Sequence, residues 1–131
     1  MSAHLRGIKP AVKADPEALA TVPVAPRHLD AYARAEWKRV MPQLVQRRVL
    51  TAGDLGNVEN YCVMQGIVRQ LEQERKERGG MIDLKAFGVQ NRAAQTARQL
   101  ASEYGLSPVS RSRLGAVEAD DEDDDNPLNV K

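Results

Sequence analysis

Apolar residues recur at three- and four-residue intervals from Leu29 to Leu44, from Leu55 to Leu71 and from Ala93 to Tyr104, a period that predicts amphipathic helices. The middle stretch organises the rest. It opens on Thr51 with Asp54 three residues later, a capping-box-like start with an acid at the positive end of the helix. It closes on Gly79 and Gly80, where a left-handed residue carries no Cβ penalty. Its stripe is Leu55, Val58, Tyr61, Cys62, Val68 and Leu71, with Gln65 and Arg75 as polar interruptions. About 25 residues rising 1.5 Å each make a rod of roughly 40 Å, too long for the other apolar residues of so short a chain to cover. Its far end is therefore expected to meet another copy, through Val58, Tyr61, Met64, Ile67, Val68 and Leu71.

Before the rod, Pro26 is the expected first residue of a helix that buries Leu29, Tyr32, Ala33, Trp37, Val40, Met41 and Leu44. Pro42 lacks an amide, so this helix should kink or break near Lys38 to Met41 and resume briefly over Gln43 to Arg47. After a turn at Arg48 to Leu50, the rod should fold back antiparallel, with Trp37 and Leu44 against Leu55, Val58 and Cys62. Met81 to Gln90 reads as an extended connection or a small hairpin of two short strands, bent at Gly88. Asn91 is the expected N-cap of a further helix that buries Ala93, Ala97, Leu100, Ala101 and Tyr104 and stops at Gly105. Ser107 and Pro108 then start a short last helix carrying Arg111, Arg113 and Leu114.

The expected fold is mainly α: a long antiparallel helical hairpin, a third helix and a short C-terminal helix, over residues 26–114. Residues 1–25, with Pro10, Pro16 and Pro23 among small and basic residues, read as a flexible basic arm. The acidic run beyond Gly115 reads as a disordered tail.

Composition sharpens this picture in three ways. Only 4% of residues are aromatic, so the core must come from Leu, Val, Ile and Ala, which suits helices better than a β-sandwich. The net charge of +1 hides an asymmetry, because residues 1–114 hold 18 Lys and Arg against 11 Asp and Glu, while residues 115–131 hold seven acids against Lys131. A basic body fits a polyanionic partner such as nucleic acid, or simply a solvated helical surface. Cys62 is the single cysteine, which rules out an internal disulfide and a four-cysteine zinc site. With no apolar run near 18 residues and no apolar signal segment after Met1, an intracellular protein off the membrane is expected.

The inventory for catalysis is poor. No phosphate-binding loop, zinc spacing or nucleophile elbow occurs, and no cofactor or metal is expected. His4 lies in the arm and His28 at a helix start, neither with an evident partner. Glu72, Glu74 and Glu77 alternate with Arg69, Arg75, Lys76 and Arg78, as on a solvated, ion-paired helix end. Candidate contacts to nucleic acid are Arg34, Lys38 and Arg39 on the first helix, Arg47 and Arg48 at the turn, and Arg92 and Arg98 on the later helix. Arg111 and Arg113, with Arg6, Lys9 and Lys13 of the arm, complete the set; Arg111 has a structural alternative, a tie to a carboxylate such as Glu103.

Taken in order, Trp37, Pro42, Leu44, Leu50, Thr51, Asp54, Gly105, Leu106, Ser107, Pro108 and Arg111 resemble a tryptophan helix, a Leu-Thr-x-x-Asp and a Gly-Leu-Ser-Pro-x-x-Arg signature. That set resembles the small subunit of the bacteriophage terminase, over about residues 27–114. Relatives often carry a proline just before the helix expected at Asn91, where this chain reads VQNRA. The resemblance implies a non-catalytic packaging component in the host cell cytoplasm. It would form a ring of identical subunits, bind viral double-stranded DNA and hand it to the large subunit, which holds the ATPase and nuclease. The acidic tail has three readings: docking on the large subunit, shielding the DNA-binding face, or inert solubilisation. Two other functions fit a small helical basic protein: a helix-turn-helix regulator with Arg47 to Asn57 as its turn, and a helical assembly adaptor without a nucleic-acid role.

Overall fold

The computed structural model describes residues 16–106. Three helices account for most of them: α1 (Ala31–Gln46), α2 (Leu55–Glu77) and α3 (Leu84–Glu103), with a 3₁₀ turn at Ala52–Asp54 leading into α2. No strand occurs among the described residues.

α1 starts five residues later than Pro26 suggests. Asp30 is its N-cap, and the Asp30 carboxylate accepts from the Ala33 amide at 2.9 Å, supplying one of the partners that the first turn of a helix lacks. Pro26 instead bends the approach, its carbonyl accepting from the Leu29 amide, and Leu29 turns inward. The expected break before Pro42 does not occur. α1 runs unbroken to Gln46 with Pro42 inside it and facing solvent, while Val40, Met41 and Leu44 on either side are wholly buried. Burial of those neighbours outweighs the one hydrogen bond that proline cannot make.

α2 keeps its expected signals. The Asp54 carboxylate accepts from the Thr51 amide at 2.8 Å, and at the far end Gly79 and Gly80 take positive φ, with the Gly80 amide donating to the Arg75 carbonyl at 2.8 Å. Rising numbers on α1 meet falling numbers on α2: Ala33 lies against Gly66, and Glu36 against Tyr61. The same reversal relates α2 to α3, where Gln90 donates to the Val68 carbonyl and to Glu72. α2 is thus the central helix, packed by α1 on one side and α3 on the other.

The extended connection or two-strand hairpin expected over Met81 to Gln90 gives way, from Leu84 onward, to the first turns of α3. The N-cap is Asp83, whose carboxylate accepts from Lys85 and Ala86, and Asn91 lies within the helix. Gly88 is tolerated there at a cost of about 1 kcal/mol relative to alanine. The reading VQNRA, without proline, leaves nothing to interrupt the helix at that point.

One core joins the three helices: Trp37, Val40, Met41 and Leu44 from α1, Val58, Tyr61 and Cys62 from α2, and Ala97, Ala101 and Tyr104 with α3. The segment before α1 reaches this core at several points, some of them within the stretch expected as an arm. The Leu19 amide donates to the Leu50 carbonyl at 2.8 Å, the Trp37 indole donates to the Pro23 carbonyl at 3.1 Å, and Leu19 and Ala25 pack on the buried cluster. The short helix expected after Ser107, the acidic tail and the first 15 residues lie outside the described residues.

Candidate nucleic-acid interface

α1 sets the geometry of the candidate cations. Residues four apart share a side of a helix, so Arg34 and Lys38 lie on one side of α1, and Arg39, Gln43 and Arg47 follow one another along another. On the first side, Arg34 donates to the Pro26 and Leu29 carbonyls, which spends its guanidinium on holding the preceding segment. Lys38 is exposed. Together with Val22, Pro23, Val24, Trp37 and Pro42, these two cations border a mostly apolar groove of about 420 Å³.

On the other side, Arg47 donates to the Gly105 carbonyl at 2.8 Å and to Gln43, fastening the end of α3 to the end of α1. Arg48 is exposed and adopts a φ of +58°, the left-handed turn that ends the helix in a place usually held by glycine or asparagine. Arg92 and Arg98 stand exposed on α3. Arg34 and Arg47 are thus engaged by carbonyls of the chain, and Lys38, Arg48, Arg92 and Arg98 are exposed. Arg111, Arg113, Arg6, Lys9 and Lys13 lie outside the described residues.

Arg39 belongs to a cluster that the sequence does not announce. Glu36 is the buried charged side chain among the described residues, at 2% exposure. Arg39 grips it with two nitrogens, Nε to Oε1 and Nη2 to Oε2, and the Tyr61 hydroxyl donates to Oε2 from α2. Arg69, one helical turn beyond Gln65, places Nη2 3.8 Å from Oε1. Burial on its own pushes the Glu36 carboxyl upward, but the hydrogen bonds from Arg39 and Tyr61 and the two positive charges outweigh it and hold the group below the usual carboxylate value. Burial, with Glu36 close by, pushes the Tyr61 hydroxyl well above the normal tyrosine range. The same two causes push the Cys62 thiol up to about 12.

The candidate contacts to a second copy divide as well. Val58 and Tyr61, expected at an intermolecular surface, are 1% and 5% exposed inside the chain's own core. α1 and α3 cover these two positions. Met64, Ile67, Val68 and Leu71 are half-buried. Exposed apolar surface lies instead at the α2–α3 turn and the start of α3, on Met81, Ile82, Leu84, Phe87 and Val89, with Leu84 at 82% exposure.

His28 approaches Glu59 at 3.5 Å on the surface. Among the described residues no three of His, Cys, Asp and Glu gather as a metal site, and no helix is long and apolar enough to cross a membrane.

Cations on the outer sides of α1 and α3 and an apolar end at the α2–α3 turn define a small all-helical protein built around surface contacts. The chain belongs to the phage terminase small-subunit family: the family model described as phage terminase, small subunit, matches residues 33–121, which takes in all three helices but for the first two residues of α1. No curated protein sequence and no solved structure matches the chain. The family carries a role in phage DNA packaging.

Proposed function

We propose that this protein is the DNA-recognition component of a phage packaging motor: it binds viral double-stranded DNA, assembles as a homo-oligomeric ring and regulates the large terminase subunit, without catalysing a reaction itself. It works in the host cell cytoplasm. The observation that carries this reading is the family match over residues 33–121. The geometry supports it in two places. Exposed Lys38, Arg48, Arg92 and Arg98 offer contacts to phosphates, which supply affinity with little base specificity. Met81, Ile82, Leu84 and Phe87 offer apolar surface of the kind that oligomer contacts bury.

The structure disfavours the helix-turn-helix alternative. α2 would have to enter a groove, yet it lies between α1 and α3, and the chain carries no Lys or Arg between Arg48 and Arg69.

Light scattering on the eluting protein and fluorescence anisotropy with a labelled duplex from the packaging-start region test the proposal together. A closed oligomer whose DNA affinity falls steeply with salt is expected. A monomer that ignores the duplex at low salt would refute it.

A further inference from the structure

A carboxylate buried to 2% is costly unless its partners repay the lost hydration, and apolar residues of the same volume often serve a core as well. Glu36 therefore asks for a use beyond packing. Its partners are unequal. Arg39 and Tyr61 satisfy it with hydrogen bonds, whereas Arg69 stands 3.8 Å away, within charge range but beyond a hydrogen bond. One buried negative charge thus faces two guanidinium groups, and the cluster keeps a surplus of one positive charge. The side chains of Arg39 and Arg69 are each 53% exposed, so both carry donors that water or a ligand can reach.

The surroundings of Arg69 extend this surplus. It lines a groove of about 430 Å³ along α2 with Gln65, Gln73, Lys76 and Gln90. Lys76 lies seven residues on, two helical turns, or about 10 Å along the axis. Glu72, between them, is taken up by Arg75 and Gln90. The groove thus holds two cations, the already paired carboxylate of Glu72, apolar Val68 and three amide side chains, a net charge of +1 that favours a ligand with negatively charged oxygens. Among the described residues, the other exposed arginines lack a buried carboxylate as anchor. Here the buried carboxylate fixes the guanidinium of Arg39 and draws that of Arg69 toward it, so less side-chain freedom is lost when a ligand binds.

We propose that Arg39, Arg69 and Lys76 form a phosphate-gripping site for a nucleic-acid backbone that runs along α2 from its crossing with α1, and that Glu36 is the positioning residue that sets its two arginines. This rests on the DNA-binding reading above and names where on the body the backbone lies.

The test uses the full chain and a labelled 40-base-pair duplex, with affinity read by anisotropy over a series of salt concentrations. Arg69→Gln should weaken binding about tenfold at moderate salt and reduce the slope of log affinity against log salt by about one. Arg69→Lys should restore the slope. Arg39→Gln and Lys76→Gln should each behave like Arg69→Gln. Glu36→Gln separates positioning from bulk charge: loss of a negative charge alone would tighten DNA binding, whereas a positioning role predicts weaker binding. Should Glu36→Gln fail to fold, the half-exposed Arg69 still decides the matter. Wild-type DNA binding that Arg69→Gln and Lys76→Gln leave unchanged overturns this site and spares the packaging role. A wild-type protein that does not bind the duplex at low salt overturns both.

Discussion

Gly66 of α2 lies directly against the backbone of Ala33 on α1: a Cβ added to Gly66 would stand 2.9 Å from the Ala33 nitrogen and 3.1 Å from its Cα. The opposing atoms belong to a helix backbone and cannot swing aside. A mid-helix glycine, which costs about 1 kcal/mol against alanine, is retained here because the two helices approach too closely for a side chain.

Gly66→Ala should therefore destabilise the fold despite its better helix propensity, by about 1–2 kcal/mol net, and Gly66→Val by more. Urea unfolding followed through Trp37, the sole tryptophan, measures the shift. A midpoint that rises in Gly66→Ala would contradict the close approach.

The Glu36 cluster gives stability a dependence on pH at both ends. Because the native carboxyl titrates below its ordinary value of 4.5, its contribution is complete above that value and is lost as the pH falls through the native one. Tyr61 is displaced the other way, so its contribution is complete below the ordinary value of 10.0 and declines as the pH climbs past it. Tyr61→Phe should make the alkaline decline shallower, leaving the part that the raised Cys62 thiol contributes above its ordinary value of 9.0, and cost about 1.5–3 kcal/mol near neutrality, the worth of a hydrogen bond to a charged group. Unfolding free energies measured from pH 3 to pH 11 would settle the point, and a flat alkaline limb in the wild type would speak against the buried hydroxyl.

Cys62 is wholly buried, and its thiol is pushed up to about 12, first by burial and then by the charge of Glu36. Ellman's reagent at pH 8 should react with the native protein at least about a hundredfold more slowly than with the urea-unfolded chain, because the thiolate forms only on opening. Equal rates would mean that the α1–α2 packing opens freely.

Pro42→Ala should stabilise the protein by about 1–3 kcal/mol, since it restores an amide within α1 and removes an exposed ring. Melting should rise by several degrees. An unchanged melting point would mean that the ring's contacts beside Trp37 and Val22 offset the helix penalty.

Much of this architecture was legible because apolar period and glycine stops report burial directly. The stripe around Trp37, the limits of α2 and the stop at Gly105 all follow from residues whose own chemistry enforces them. The start of α3 was not, because its first turns bury almost nothing: Leu84 and Phe87 face solvent, and a helix without a buried face leaves no period to detect. Only Asp83, an acid placed before Lys85 and Ala86, hinted at a cap. Glu36 and Arg69 were hidden for a different reason. Pattern reading treats every charge on a helix as solvated, and which one turns inward is decided by Tyr61 across the helix pair, 25 positions away. Gly66 could have been noticed, since a glycine amid a long helical pattern implies a close neighbour.

Because Arg47 ties Gly105 to the end of α1, the described chain ends at Leu106 beside the α1–α2 turn. The greasy corner formed by Ile82, Leu84 and Phe87 is at the opposite pole, a separation of about 35 Å along the 23 residues of α2. A neighbour held by that corner would leave the pole where Arg47 meets Gly105 uncovered, so assembly and a partner at that pole need not compete for the same flank.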